Sequence, residues 1–366
     1  MYTIINNRDW NAAEAEFEFI AQMGETPQDP RHHAEGNVAV HTQMVLHELE
    51  KSAKFKQLEP KDQTTIWAAA LLHDIGKIST TITNDDGSIS SPGHSRIGAT
   101  MARQLMYRSG DIPFEQREEI VSLIRYHGLP LWVFEKPDPA KALIQASLEV
   151  NTQLLTLLAR ADVLGRWCED MDVLLYRLDC FEELCKEQGC WGAPKSFQTP
   201  EAKLHYLTKE NSAVDYVPFE QPTTHVIMMS GLPGAGKDFF IKKMKDWPVI
   251  SLDQIRRDWK IDPTDKSGNG KVVQEAKEIA RQYLRKQQSF IWNATNVTRQ
   301  MRTQLIELFM TYDAFVEIVY VETPYRQLIS QNKSRAEAVP LAVVERLTDK
   351  LEVPVAWEAH KITYIV

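Results

Sequence analysis

The chain has 366 residues, 43% of them hydrophobic and 25% charged, ordinary values for a soluble protein long enough to fold as two domains. No apolar run approaches the ~20 residues of a membrane span, no secretory signal pattern opens the chain, and Cys168, Cys180, Cys185 and Cys190 form no CxxC pair; the expectation is a cytoplasmic protein with reduced thiols and no membrane partner. The net charge of -8 hides an asymmetry: residues 1–220 hold 21 Lys/Arg against 33 Asp/Glu, and residues 221–366 hold 21 against 17. An acidic half suits a site that gathers cations and a basic half suits a polyanion, although ordinary solvated surface gives the same balance.

In chain order, apolar residues at three- and four-residue spacing predict helices over 37–52, 63–75, 94–107, 115–126, 140–164 and 169–189. Turn-forming runs separate several of them: Asn84-Asp85-Asp86-Gly87, Ser91-Pro92-Gly93 and Glu135-Lys136-Pro137-Asp138-Pro139. Residues 211–224, with Pro218 and Pro222, read as a connector. After it the pattern changes. β-rich runs at Val226–Met229, Val249–Leu252, Phe290–Trp292, Phe315–Val321 and Ile362–Ile365 alternate with helical patterns near 237–245, 272–287, 299–310, 324–334 and 341–352, which predicts a parallel sheet flanked by helices. The expected organisation is an all-α domain over 1–220, including a helical extension at 166–215 with no evident chemistry, followed by an α/β domain over 221–366.

Seven of the ten histidines fall within the first 130 residues. Leu71-Leu72-His73-Asp74-Ile75-Gly76-Lys77 puts His73 and Asp74 on an apolar helix, where a carboxylate is costly without a metal or a charged partner. His33, His41, His94, His127 and Asp162 lie at the ends or faces of predicted helices. Imidazole nitrogens with carboxylate oxygens suit Mn, Fe, Co, Ni or Zn better than Mg alone. One helix carrying both His33 and His41 would part them by ~12 Å, too far for one metal. Gly36 makes a break expected, with His33 arriving from a loop as a ligand, an outer contact or a phosphate contact.

This order of residues resembles the HD phosphohydrolase superfamily. Ala70–Lys77 followed by Pro92-Gly93-His94-Ser95-Arg96-Ile97-Gly98 is similar to the HD domains attached to bacterial tRNA nucleotidyltransferases, which act as 2′,3′-cyclic phosphodiesterases and phosphatases. The resemblance implies metal ligands at His41, His73, Asp74 and Asp162, and the further ligands of a two-metal branch at His94 and His127, with Asp74 bridging. One or two transition-metal or Mg/Mn ions would then activate a water and neutralise the phosphate, which Lys77, one turn after His73, would contact.

In the second half, the apolar run Val226–Ser230 feeds Gly231-Leu232-Pro233-Gly234-Ala235-Gly236-Lys237, the strand–loop–helix context of a Walker A motif. Its glycines let backbone N–H groups approach the phosphates of a nucleoside triphosphate, ATP or GTP, and Lys237 supplies charge to the β/γ oxygens. Asp238 stands where Ser or Thr usually holds Mg²⁺. A carboxylate is also a hard ligand, and a helix N-terminus tolerates its charge, with a metal needed to offset the phosphates.

Three downstream segments resemble 5′-hydroxyl polynucleotide kinases. The resemblance implies that Asp253, in Ser251-Leu252-Asp253-Gln254-Ile255-Arg256, orients and deprotonates the attacking 5′-hydroxyl, and that Arg256 holds the adjacent phosphate. Asn293, Thr295 and Asn296 fall in the substrate-contacting loop, with Arg302 further down its helix. Arg335 fits a lid arginine over the phosphates, and Arg326 stands in for a second lid arginine whose position falls near Gln331.

Over nearly the whole chain, an HD module followed by Ser230–Asp238 resembles the bacterial HD-Pnk proteins, bifunctional RNA end-healing enzymes. That resemblance implies an all-α HD phosphohydrolase followed by an α/β P-loop kinase with a central parallel sheet. One module would phosphorylate 5′-OH RNA or DNA ends, the other would remove 2′,3′-cyclic phosphate or a 2′- or 3′-phosphate, and a polynucleotide ligase would act as partner. Two other readings stay open on the residues alone: a small-molecule P-loop kinase fused to a nucleotide phosphohydrolase, or an HD hydrolase regulated by a nucleotide and lacking kinase activity.

Overall fold

The computed structural model describes residues 1–366 apart from 220, 221, 245, 263, 264 and 335–337. It divides into two compact units, Met1–Ser196 and Phe197–Val366, so the second unit begins ahead of the expected boundary at 220/221 and takes in residues 197–219 as well.

The first unit is helical apart from a two-stranded ribbon, Ile82–Thr83 with Ile89–Ser90. After three short helices at Tyr2–Asn7, Trp10–Glu16 and Glu18–Glu25 come α1 (Val38–Lys51), α2 (Pro60–Leu72), α3 (His94–Ser109), α4 (Phe114–Tyr126), α5 (Thr152–Leu164) and α6 (Met171–Glu187). From Thr64 to Leu72 every residue of α2 is buried, the mark of a central helix rather than an amphipathic surface one. Its Trp67, Leu71 and Leu72 share one core with Ile120 and Ile124 of α4 and Leu155 and Leu158 of α5. The chain therefore leaves α2 inside the bundle, and His73-Asp74 start there. The single helix expected over 140–164 is instead two, Pro139–Ser147 and α5. Asn151 ends the gap between them by accepting the Gln153 and Leu154 N–H groups, which restarts the helix with its first amides satisfied.

The second unit opens on α7 (Pro200–Thr208) and continues through β1 (Thr224–Ser230), α8 (Lys237–Ile241), β2 (Val249–Ser251), α9 (Leu252–Asp258), α10 (Lys266–Arg285), β3 (Phe290–Asn293), α11 (Arg299–Met310), β4 (Ala314–Val321), α12 (Tyr325–Lys333), α13 (Leu341–Asp349) and β5 (Lys361–Ile365). The strands form one sheet in the order β2-β3-β1-β4-β5, parallel at every pairing. One face packs Val226 and Met228 against Ala276, Ala280 and Leu284 of α10 and Leu305 and Phe309 of α11. Strand order reverses at β1, so the crevice at its carboxyl end, where parallel sheets bind ligands, belongs to the glycine loop. Helix α9 begins straight after β2, because Ser251 caps it through the Gln254 N–H; the expected strand extension to Leu252 is the first helical residue. Among the described residues no helix is long and apolar enough to cross a membrane.

Candidate active sites

In the first unit, five separate segments deliver the expected residues to one place. His41 comes from the first turn of α1, His73 and Asp74 from the end of α2, His94 from the start of α3, His127 from the end of α4, and Asp162 from α5. Gly76 permits one close approach: a Cβ there would lie 2.1 Å from the His94 carbonyl oxygen and 2.6 Å from the Gly98 nitrogen. His41, His73, Asp74, His127 and Asp162 are all buried.

Three imidazoles are oriented in the same way. The Nδ1 atoms of His73, His94 and His127 lie 2.7, 2.8 and 2.8 Å from the carbonyls of Ala70, Ser91 and Ile124, three residues back. A carbonyl only accepts, so each Nδ1 carries the proton and each Nε2 presents a lone pair. His94 Nε2 and His127 Nε2 then stand 3.3 Å apart, two lone pairs converging on Asp74 Oδ1 at 3.6 and 4.0 Å. On the other side, Asp74 Oδ2 is 3.3 Å from His73 Nε2 and 3.7 Å from His41 Nε2, and His41 Nε2 is 3.1 Å from Asp162 Oδ1. Among the described residues the donor atoms fall into three sets, His41–His73–Asp162, Asp74–His94–His127 and His33–Glu35–His41, each within 4.8 Å.

Two atoms test whether a metal fits. His73 Nε2 and Asp74 Oδ1 are buried with no hydrogen-bond partner, an arrangement that costs free energy unless a cation completes it. Neutral imidazole nitrogens with carboxylate oxygens are the donor set of a divalent transition metal. The residues fit.

The electrostatics agree. Burial works to raise the Asp74 pKa, but Lys77 and His73 outweigh it and hold the carboxyl well below its usual range. For Asp162 burial is likewise outweighed, by Arg166 and His41. Burial, with help from His94 and His73, pushes His127 down to about 3, so this ring is neutral and free to ligate. Burial opposes a charge on His73, while Asp74 and Asp162 raise its pKa; the field that favours a proton there favours a metal cation too.

Lys77, expected to contact the phosphate, has its own partners within the fold. Its ammonium is buried and bound to Asp74 Oδ2 and Gln28 Oε1, both at 2.7 Å, where it neutralises Asp74. The chain does break at Gly36, whose φ is 119°, and His33 arrives from a loop with its ring centroid 4.7 Å from that of His41. Burial lowers its pKa to about 4 against the opposing pull of Glu35. Three residues missed in the sequence complete the centre: Glu35, bonded to His33 and His41; Arg166, 2.5 Å from Asp162 Oδ1; and Gln28. None belongs to a motif, though Arg166 sits one helical turn beyond Asp162, a spacing at which an ion pair could have been anticipated.

In the second unit the glycine loop follows β1. Gly231 has a φ of 146°, and a Cβ on it would lie 2.3 Å from the Val321 carbonyl oxygen at the end of β4, so no side chain is tolerated where the loop leaves the sheet. The loop is pinned by Gly231 N–H to Thr295 O at 2.9 Å and by Thr323 Oγ1 to Ala235 O at 3.1 Å. Lys237 folds back, its Nζ 2.9 and 3.0 Å from the carbonyls of Gly231 and Leu232. Asp238, in the first turn of α8, accepts a hydrogen bond from Asn293 Nδ2 at 2.8 Å. Asp253 is exposed on the first turn of α9 and ion-paired with Arg256, whose Nε also donates to Asn269 at 2.8 Å.

Two expected substrate contacts are corrected. Arg302 is fully buried: Nε and Nη2 bind Glu358 at 2.6 and 2.9 Å, and Nη1 binds the carbonyls of Asn296 and Glu352. With all three nitrogens engaged inside the fold, it cannot meet a polynucleotide. Asn296 is also buried; its amide binds Met229 O at 2.7 Å and its own carbonyl accepts from Ser230, which fastens the β3 loop to the P-loop strand. Thr295 is half-buried and takes part through its carbonyl. Arg326 is exposed on the first turn of α12, and Arg335 lies outside the described residues.

Comparison with known proteins agrees with this division. The family model of the HD domain matches residues 37–167, and that of an AAA domain matches residues 226–354. The chain thus joins a helical HD domain to an α/β P-loop kinase-like domain, which implies metal binding in the first and a nucleotide with Mg²⁺ in the second. The L-seryl-tRNA(Sec) kinase of Methanococcus maripaludis is 24% identical over 150 residues, 38% of this chain and 58% of that protein. The multifunctional CCA protein of Methylococcus capsulatus is 34% identical over 127 residues, 33% of this chain and 26% of that protein. The chain spans less than two thirds of either relative. A solved structure from Chloroflexus aurantiacus matches 40% of this chain and 86% of its own at 16% identity, with a TM-score of 0.35.

Proposed function

We propose that this protein heals both ends of a cleaved polynucleotide, phosphorylating the 5′-hydroxyl and removing a 2′,3′-cyclic phosphate, or a 2′- or 3′-phosphate, from the other terminus. The observation that carries the reading is Asp74, whose two oxygens face two separate sets of metal donors, in a chain that also holds a P-loop. Support for a polynucleotide acceptor comes from the resemblance to HD-Pnk proteins, and a relative named as an L-seryl-tRNA(Sec) kinase is consistent with a substrate that carries RNA.

In the HD domain, His41, His73 and Asp162 would hold one cation, and Asp74, His94 and His127 would hold a second. When bound, the metals supply Lewis acidity and positive charge to the phosphate. The chain's own residues fix the ring tautomers through backbone carbonyls, and Lys77 and Arg166 keep the carboxylates ionised. In the kinase-like domain the loop amides and Lys237 would receive the triphosphate, and Asp238, held by Asn293, would be a carboxylate ligand for the Mg²⁺ that comes with it. Asp253 takes the proton of the 5′-hydroxyl as its oxygen bonds to the γ-phosphorus and the bond to the β-phosphate oxygen breaks, releasing the nucleoside diphosphate. Arg256 orients Asp253 and binds the neighbouring phosphate. The products, a 5′-phosphate and a 3′-hydroxyl, are the ends a polynucleotide ligase joins, and such a ligase is the partner we propose.

The test offers an RNA with 5′-OH and 2′,3′-cyclic phosphate ends, ATP or GTP, and Mg, Mn, Co, Ni or Cu in turn, beside the matching free nucleoside. Phosphorylation of the oligonucleotide in strong preference to the nucleoside, with loss of the cyclic phosphate, is expected. Equal rates on the nucleoside would favour a small-molecule kinase instead.

A further inference from the structure

Glu35 belongs to no motif, yet its side chain is sealed from solvent beside the HD cluster. One oxygen, Oε1, lies 2.8 Å from His33 Nδ1 and 3.0 Å from His41 Nδ1. The other, Oε2, accepts the Trp167 N–H at 2.9 Å. A buried carboxylate is costly, and these partners, two imidazoles and a main-chain amide, are what hold it. We propose that Glu35 is a positioning residue for the metal centre, fixing His41 and His33 with Nδ1 protonated so that each Nε2 is a free donor. The proposal rests on the reading of the HD domain as a metal site.

An ionised carboxylate can only accept, so both Nδ1 atoms must carry their protons toward it. The Gly165 carbonyl, 3.1 Å from His41 Nδ1, makes the same demand. The lone pair of His41 Nε2 is thereby turned to Asp162 and Asp74, as an outer carboxylate does for a metal-bound histidine. Glu35 also ties two remote segments together. Its bond to the Trp167 amide, with the Ala34 N–H donating to Trp167 O at 3.1 Å, fastens the loop carrying His33 to the chain just beyond Asp162. The charges are consistent: Lys77 pairs with Asp74 and Arg166 with Asp162, and Glu35 adds a third carboxylate with, among the described residues, no cationic side chain of its own beyond the two imidazoles.

Co²⁺ is the probe, added to the full-length protein and followed by calorimetry and by visible absorption. Glu35→Gln keeps the shape but places an NH₂ where an acceptor stood, so a donor must face either the imidazoles or the Trp167 amide. Binding of Co²⁺ that depends on His73 should weaken about 10–100-fold, with a shifted visible band, while the melting transition of the kinase-like domain stays put. A wild-type affinity and spectrum in Glu35→Gln would overturn the positioning role alone. Absence of any Co²⁺ binding that His73→Ala removes would overturn the metal reading beneath it. Nitrogen-15 spectra of the wild-type histidines need no variant: Nδ1-protonated rings are expected at His33 and His41, and an Nε2-protonated His41 would contradict the proposal.

Discussion

In the HD domain the candidate ligands His41, His73, Asp74 and Asp162 are buried and 3.1–3.7 Å from a neighbouring donor. In the kinase-like domain Asp253 stands exposed on a first turn, Asp238 is held by one amide, and Lys237 rests on its own loop. The difference follows from what each site must bind. Three carboxylates cannot be held inside a helical bundle unless the fold itself supplies their partners, so the HD centre is assembled by packing. A triphosphate brings its own charge and reach, so a P-loop needs only a strained turn, a lysine and room.

The contrast can be broken first at Lys237. Lys237→Ala should lower 5′-end phosphorylation at least ~100-fold, as loss of a transition-state charge contact does, and leave 3′-end processing within about twofold. Parallel loss of both activities in a folded variant would mean the sites are not independent. Arg302 sharpens the structural side. Arg302→Ala leaves buried Glu358 to Arg299 Nε at 3.4 Å and the Val355 N–H at 3.2 Å and should destabilise the kinase-like domain by about 3 kcal/mol, seen as a lower denaturant midpoint. A change under 1 kcal/mol, with a selective rise in KM for the oligonucleotide, would restore Arg302 to the substrate site.

In the kinase-like domain acid acts through a buried histidine. Burial lowers the His360 pKa to about 4, and its Nδ1 accepts the Val316 N–H, so the folded kinase-like domain excludes a proton that the unfolded chain takes up near the ordinary histidine value of 6.5. Its contribution, roughly 3 kcal/mol, is therefore full above pH 6.5 and lost as pH falls toward 4. His360→Gln should flatten that part of the stability curve, and an unchanged slope would remove His360 as its cause. The smallest effect belongs to Asn293: Asn293→Ala loosens Asp238 and should raise the Mg²⁺ requirement of the kinase several-fold while sparing Mg²⁺-saturated turnover. No change in the Mg²⁺ dependence would make the Asn293–Asp238 bond incidental.

What could be read in the sequence was what is local. HDIGK and GLPGAGK are contiguous, and the alternation of β-rich and helical runs foreshadowed the parallel sheet, so both folds were legible. So was the gathering of His41, His73, Asp74, His94, His127 and Asp162, through spacing and resemblance. Contacts made by folding alone were not. Glu35 reaches Trp167 across 132 residues, and Gln28 reaches Lys77 across 49, with nothing in either stretch to single them out. Arg302 shows the same limit in reverse. An arginine on a helix after a substrate loop reads as a polyanion contact until Glu358, 56 residues on, is found against it.

The two domains are proposed to carry out separate chemistries on the two ends of one strand. One assay measures this directly: a single RNA with 5′-OH and 2′,3′-cyclic phosphate ends, both termini followed together, with wild type, His73→Ala, Asp74→Ala, Lys237→Ala and Asp253→Ala. His73→Ala and Asp74→Ala should keep the 5′ activity and lose the 3′ activity, and Lys237→Ala and Asp253→Ala should do the reverse. Wild-type protein that leaves both ends untouched, or folded variants that all lose both activities, would contradict it.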